Sequence, residues 1–370
     1  MRNILQFSLT RMVNSFTIKV ISHRKQVIFM AVTIKDIALQ AGVSPSTVSR
    51  VCNDNPSISK ETRDRVRKVM AQLGYEPSAP AAPATKPIRM VGIVLPPSMQ
   101  SIYRNPFFLE AIRGICEFCN PHGVVTAVVT SANDEEAMGA VKKLVSTRQI
   151  DGFIFLYSKQ DDPVVEYLCE EGILYVVVGT PQQFRSQTVC IDNDNLAASR
   201  EATDFLCDLG HTRIGYLGGS HTFYHCRDRK AGYQLSIMQH GLTFDPDICL
   251  EFINIAVEGT DRIHALLSRE DRPSAILTDD DILGLVLEQQ CINLGLRIPE
   301  DISIVSFNNS LYSSMTVSPL TCVDVNSFQL GFEAASQVIN HVENPNLMAT
   351  KILVPHRFID RGSCRPPLSE

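Results

Sequence analysis

Two rhythms of apolar and polar positions divide the chain. Over residues 33–74 apolar side chains recur three and four apart, whereas from residue 90 onward short apolar runs alternate with amphipathic stretches. In the first region Thr33 reads as an N-cap with Asp36 three residues on, and Ile34, Ile37 and Ala38 form the stripe of a helix ending near Ala41. Gly42 permits a sharp turn, Ser44 caps a second helix, Pro45 takes its first position, and Val48 and Val51 face back toward the first helix. A third helix is predicted over 59–73, with Val66, Val69, Met70 and Leu73 on one face and Gly74 closing it. Two short helices about a tight glycine turn make a helix-turn-helix unit, whose second helix enters the major groove of DNA.

The second rhythm predicts strands or helices over 90–95, 107–119, 124–129, 135–147, 152–156, 164–170, 174–178, 196–209, 214–217, 229–239, 259–267, 275–277, 282–294 and 303–307. Such βαβα alternation implies parallel, doubly wound sheets. There are too many strands for one six-stranded sheet, so two similar lobes are expected, with a ligand cleft where the strand carboxyl ends face each other. Between the two regions Pro77, Pro80, Pro83 and Pro87 alternate with alanines, a linker composition that favours extended polyproline backbone. The expected organisation is a leader over 1–29, disordered or not translated; a helix-turn-helix head over 30–76; a hinge linker over 77–87; and a core over 88–364. Lobe one of that core is expected at 88–191 and 323–350, lobe two at 192–322 and 351–364.

Composition narrows the function classes. Hydrophobic residues are 44% of the 370 and charged residues 20%, which excludes wholesale disorder. No apolar run approaches the roughly 18 residues of a membrane helix, so a soluble cytoplasmic protein is expected. The net charge of −6 conceals an asymmetry. Residues 1–29 carry five Lys/Arg and no acid, 30–87 eight against five acids, and 88–370 twenty-one against thirty-five. A basic front on an acidic body confines nucleic-acid contact to the N-terminal region, since phosphate repels the rest. The eleven cysteines lack the spacing of a disulfide framework. Their closest pair, Cys116 and Cys119, falls within a predicted helix and reads as core-facing, so no metal or other cofactor is expected.

The run TIKDIALQAGVSPSTVSRVCN over 33–53, with Ser59-Lys-Glu-Thr-Arg and Leu73-Gly-Tyr-Glu-Pro, closely resembles the DNA-binding domain of the lactose-repressor family. The resemblance continues through Asn105-Pro-Phe-Phe, Asp151-Gly-Phe-Ile, Ile191-Asp-Asn-Asp-Asn, Leu209-Gly-His-Thr-Arg-Ile, Arg227-Asp-Arg-Lys-Ala-Gly-Tyr, Thr278-Asp-Asp-Asp and Ile298-Pro-Glu-Asp-Ile-Ser. Within the family, Asn105-Pro-Phe-Phe with Phe155-Leu-Tyr-Ser-Lys and Asp161-Asp-Pro-Val-Val-Glu-Tyr is similar to the maltose-operon regulators. The resemblance implies a homodimeric repressor of double-stranded operator DNA, with a two-lobed core related to periplasmic sugar-binding proteins. Its effector would be a small molecule such as maltose or a maltodextrin.

Carried onto this chain, the family pattern puts Pro45, Ser46 and Arg50 at base edges, where a guanidinium donates two hydrogen bonds to guanine. Thr33, Ser44, Thr47, Ser49, Asn53 and Ser59 would hold phosphates, although Ser44 and Ser59 also read as helix caps alone. The hinge departs from the family: Ala82 and Ala84 replace the usual Arg and wedging Leu, and Pro80 and Pro83 oppose a hinge helix.

In the core, Phe107 and Phe108 would flank the cleft, Arg229 would reach ligand oxygens, and Asp280, Asn308 and Asn254 would bind hydroxyls. Asn308 stands where relatives often carry Asp. The bland alternatives are helix core for the phenylalanines, an acid partner for Arg229, an N-cap role for Asp281, and turn-shaping for Asp192 and Asp194. No P-loop, GxSxG, HExxH or strand-linked GxGxxG is present, and no catalytic residue is expected. A sugar-binding transport component is the alternative that the core alone permits.

Overall fold

Local capping chemistry sets the three helices of the head. The computed structural model describes residues 32–52, 55, 58–75, 90–97, 105–253 and 255–367; the leader, the hinge linker, Asn53 and Asn254 lie outside the described residues. In α1 (Ile34–Ala41) the Thr33 hydroxyl accepts from the Asp36 N–H while the Asp36 carboxylate accepts from the Thr33 N–H at 2.9 Å, a reciprocal capping box. Gly42 closes the helix at φ 65°. Ser44 Oγ accepts from the Thr47 N–H at 3.2 Å to start α2 (Pro45–Cys52), and Ser59 Oγ from the Thr62 N–H at 3.3 Å to start α3 (Lys60–Leu73). Ile37, Ala38, Ala41, Val48, Val51, Val66, Val69 and Met70 form the small core. Arg63 ties α3 to the preceding turn by donating to the carbonyls of Asn55 and Ile58.

The core continues with β1 (Met90–Val94), α4 (Pro106–Cys119), β2 (Val125–Val129), α5 (Asp134–Ser146), β3 (Gly152–Phe155), α6 (Pro163–Glu171), β4 (Tyr175–Val178), β5 (Val189–Asp192) and α7 (Asn195–Asp208). Next come β6 (Ile214–Gly218), α8 (Tyr224–Gln239), β7 (Cys249–Glu251), α9 (Ile255–Leu267), β8 (Ala275–Thr278), α10 (Asp281–Asn293), β9 (Ser303–Phe307) and α11 (Leu311–Met315). Last are β10 (Thr321–Asp324), α12 (Ser327–Glu343), β11 (Lys351–Leu353) and β12 (Arg357–Ile359). Two six-stranded sheets result, ordered β11-β5-β4-β3-β1-β2 in lobe one and β12-β10-β9-β8-β6-β7 in lobe two. All pairings are parallel except that of β10 with β12.

Helices cover the sheets where the sequence supplies apolar or very small faces. In lobe one α4 and α12 cross in direct backbone contact. A Cβ on Gly331 would lie 2.0 Å from the Ala111 carbonyl oxygen, and one on Gly114 would lie 2.1 Å from that of Phe328. In lobe two α7 and α8 cover one face around Tyr216, Tyr233 and Phe307, while α9 and α10 cover the other around Ile263, Leu287 and Ile304.

The structure corrects three sequence expectations. α8 starts at Tyr224 rather than 229, because its buried residues Tyr224, Cys226, Arg229, Gly232, Tyr233, Ser236 and Ile237 do not form the single apolar stripe that periodicity detects. α9 starts at Ile255 rather than 259. The lobe boundaries also move, since Val323 pairs with Phe307 in lobe two and Lys351 with Cys190 in lobe one. The second crossing therefore falls at 325–326 and the third at 354–356, set by long-range strand register and not by local pattern.

Candidate functional site

In the head, Pro45, Ser46, Ser49 and Arg50 follow one another around α2 away from the buried Val48 and Val51, and the Arg50 side chain is exposed. Thr33, Ser44 and Ser59 stand at the three helix N-termini, so the capping reading of Ser44 and Ser59 is realised in their hydrogen bonds. Ser44 Oγ also lies 2.8 Å from Ser46 Oγ and 2.9 Å from Thr47 Oγ1, a hydroxyl cluster at a helix N-terminus, where backbone donors favour phosphate.

In the core, the Asn105 side chain accepts from the Phe107 N–H at 3.0 Å and Pro106 opens α4. This places Phe107 and Phe108 in the first turn of α4, their rings edge to face at 5.4 Å. Both are half-buried, and Phe107 packs against the cores of both lobes. Arg229 is buried within lobe two. Its Nε donates to Asn195 Oδ1 at 2.8 Å, its Nη1 donates to the Asp279 carbonyl, and its guanidinium lies 4.2 Å over the Phe307 ring. Arg229 is therefore hydrogen-bonded to an amide and a carbonyl and stacked on an aromatic face, with the Asp279 carboxylate acting on it through charge and not through a direct ion pair among the described residues.

Asn195 links the lobes chemically. Its Nδ2 donates to Asp192 at the end of β5, and Asp192 also accepts from Thr180 Oγ1 and the Asn193 N–H. Burial raises the Asp192 carboxyl above its ordinary range. Asp194 caps α7 by accepting from the Ala197 N–H at 3.0 Å.

At the end of β8 the three aspartates take different tasks. Asp279 is buried, accepts from the Gly219 N–H at 2.7 Å, and is pushed up by desolvation. Asp280, not Asp281, caps α10, accepting from the Leu283 N–H at 2.7 Å. Burial, then the adjacent Asp279 and Asp281, hold Asp280 well above the usual carboxylate range. Asp281 is the first helical residue and turns inward to accept from the Ser310 N–H at 2.9 Å. Asn308 follows β9, buried, at φ 83°, with its N–H donating to the Val323 carbonyl. A positive φ is uncommon for a residue with a side chain, and such strain clusters at functional positions.

Asp280 and Asn308 thus follow the carboxyl ends of β8 and β9, Arg229 reaches the first of these ends through the Asp279 carbonyl, and Phe107 and Phe108 lie in the first turn of α4 in lobe one. Asn195 and Asp279 escaped sequence reasoning. Both sit inside the Asp/Asn runs 192–195 and 279–281, where composition alone does not say which side chain turns inward.

Comparison with known proteins is decisive. The family described as bacterial regulatory proteins, lacI family, matches residues 33–78, and the periplasmic binding protein-like domain matches residues 203–364. The HTH-type transcriptional regulator MalR of Staphylococcus xylosus is 33% identical over 333 residues, which cover 90% of this chain and 98% of that protein. The chain belongs to the lacI family. As a lacI-family member it is a DNA-binding transcriptional regulator. The MalR of Streptococcus pneumoniae serotype 4 is 32% identical over 339 residues, 90% of this chain and 100% of that protein. The transcriptional regulator CelR–cellobiose complex superposes with a TM-score of 0.70 at 25% identity, covering 90% of this chain and all of that one. Among the described residues no helix is long and apolar enough to cross a membrane.

Proposed function

We propose that this lacI-family regulator is a repressor whose operator affinity is set by a sugar of the maltose or maltodextrin class bound between the two lobes. The observation that supports the reading is that Phe107, half-buried at the start of α4 in lobe one, packs against the lobe-two core that includes Phe307, the ring beneath the buried Arg229 guanidinium. Phe107 and Phe108 offer ring faces to sugar C–H surfaces, while Arg229, Asp280 and Asn308 offer donors and acceptors for hydroxyls. The similarity to two MalR regulators supports the sugar class, and the cellobiose carried by CelR supports a disaccharide-sized ligand.

In the head, Arg50, Ser46 and Pro45 read base edges, with Thr33, Ser44, Thr47, Ser49, Asn53 and Ser59 on phosphates. The active form is a homodimer. In support, Leu285 and Ile292 on α10 and Leu311, Met315 and Val317 on and after the adjoining α11 are exposed apolar side chains of the kind a subunit contact covers.

The test uses the full chain with DNA sites selected from a random library. Maltose or maltotriose is expected to raise the melting temperature, since a ligand at a hundred times its Kd stabilises by about 2.7 kcal/mol, and to change affinity for the selected DNA. A maltodextrin series without effect on either removes that sugar class.

A further inference from the structure

The hinge and the rim of the cleft lie at different places along the sheets. The three chain crossings run beside β5 and β10. Asn193, in the first crossing, donates from Nδ2 to the Val354 carbonyl at 2.7 Å and the Val325 carbonyl at 3.1 Å, so one amide gathers all three. The loops after β3 and β6 emerge two strands beyond β5 and three beyond β10. At about 4.8 Å per strand they stand roughly 10–15 Å from the crossings. There the lobes meet in main-chain hydrogen bonds. The Gln160 N–H donates to the Thr222 carbonyl at 2.9 Å and the Tyr224 N–H to the Ser158 carbonyl at 3.1 Å, with Lys159 and Phe223 as an antiparallel pair. The Tyr157 ring meets Phe223 edge-on at 6.3 Å.

We infer that the segments 158–160 and 222–224 form a clasp across the cleft, whose making and breaking sets the balance between closed and open lobes and so the effector concentration at which the regulator responds. The final clause rests on the effector reading above; the clasp itself does not. Main-chain pairing has none of the slack of long side chains, so it forms only when both loops reach strand register.

A counterweight lies directly beneath it. A cavity of about 10 Å³ is lined by Tyr157, Ser158, Lys159, Asp162 and Gln183 of lobe one and by Tyr224 of lobe two. Tyr157 Oη and Asp162 Oδ2 are buried and interact with each other but reach no further hydrogen-bond partner among the described residues, and Lys159 Nζ lies 4.0 Å from Asp162. Opening the clasp returns both atoms to water. Closure therefore gains two main-chain hydrogen bonds and keeps two polar atoms desolvated, contributions of similar size and opposite sign. This opposition lowers the net hold of the clasp on the closed state, so that a ligand with modest differential affinity can move the balance.

The experiment separates the hydrogen bond from the ring. Tyr224 is the first residue of α8 and Phe223 before it holds φ −86° and ψ 131°, a geometry that accepts proline at 224. Tyr224→Pro deletes the ring and the N–H, whereas Tyr224→Ala deletes only the ring. Each is combined with Lys159→Cys and Phe223→Cys. That pair occupies a non-hydrogen-bonded antiparallel position, where Cα atoms approach to about 4.5 Å, within disulfide range. The rate of 159–223 cross-linking under mild oxidation is followed by peptide mass spectrometry.

The Cys pair is expected to cross-link, and Tyr224→Pro to slow it about 3- to 10-fold relative to Tyr224→Ala, as one net main-chain hydrogen bond requires. Equal rates, or no cross-link in the parent pair, overturn the clasp. Should the proline variant not fold, Gln160→Pro against Gln160→Ala supplies the same comparison at the other bond. Maltose is the effector probe. It should speed the parent's cross-linking, and the oxidised protein should lose its maltose response on DNA. Maltose that binds the wild-type chain without changing cross-linking overturns the coupling. Maltose that does not bind it at all counts against the effector reading, while the proline-alanine comparison still decides the clasp.

Discussion

Replacing Arg229 with alanine is expected to cost about 3–5 kcal/mol of folding stability, the balance between the contacts it makes and the desolvation of its own charge. Two charge-assisted hydrogen bonds are lost, to Asn195 Oδ1 and to the Asp279 carbonyl, each worth about 1.5–3 kcal/mol. Lost with them is the stacking on Phe307 at 4.2 Å, worth about 0.5–2 kcal/mol. Relief of the buried guanidinium's desolvation offsets part of that sum. Against a typical stability of about 5–15 kcal/mol, the variant approaches unfolding at physiological temperature. Urea unfolding followed by far-UV circular dichroism measures the loss, a suitable probe for a chain without tryptophan. A loss below about 1 kcal/mol would refute the argument and return Arg229 to the role of a free ligand-binding group. The same reasoning makes Arg229→Ala a poor test of effector binding. Asn308→Gly is cleaner: it removes the amide at a position whose φ of 83° glycine adopts readily.

Other outcomes follow from separate parts of the molecule. Arg50→Ala is expected to cost about 1–3 kcal/mol on selected DNA and little on random DNA in an anisotropy titration; equal loss on both would make Arg50 a phosphate contact. Gly331→Ala gains helix propensity of about 1 kcal/mol but sets a Cβ 2.0 Å from the Ala111 carbonyl, so the melting temperature should fall, and a rise would show that α4 and α12 part easily. His211 is buried between Ser274, Ser303 and the Arg365 carbonyl, and burial lowers its pKa below the ordinary 6.5. The unfolded chain therefore binds the proton more readily, and this residue's stabilisation, complete above pH 6.5, is lost as pH falls below it. Urea midpoints from pH 8 to pH 5 should decline less steeply in His211→Gln, and parallel declines would exclude the residue. Met315→Glu should shift the chain toward monomer by size-exclusion with light scattering, because Met315 is 71% exposed within the apolar α10–α11 surface; an unchanged mass would place the dimer contact elsewhere.

What was legible in the sequence is what neighbouring residues decide. Thr33, Ser44 and Ser59 start their helices through bonds spanning three residues, and Gly42 and Gly74 end two of them, so the head follows from local rules. The central strands were equally plain, because each is a short apolar run buried on both faces. The lobe crossings were not, since the sheet that receives β10 or β11 depends on partners far away in sequence. The Arg229–Asn195 bond spans 34 residues and joins two polar helical positions, which no periodicity marks. Asp280 and Asp281 are compositionally identical, and only the end of β8 decides which of them caps and which is buried.

The three crossings also govern how this protein is made. Asn193 closes its bond to the Val354 carbonyl across 161 residues, and β11 joins the lobe-one sheet only after all but the last strand of lobe two has been synthesised. At roughly 5–20 residues per second, the ribosome leaves lobe one without its edge strand for about 8–30 s. During that time β5 is exposed along one side, an unpaired edge of the sort that recruits other chains. Lobe two finishes within a few residues of lobe one, so neither lobe reaches its native edge pairing before the chain is almost complete. A ribosome stalled before residue 350 would therefore hold two incomplete sheets and not one finished lobe.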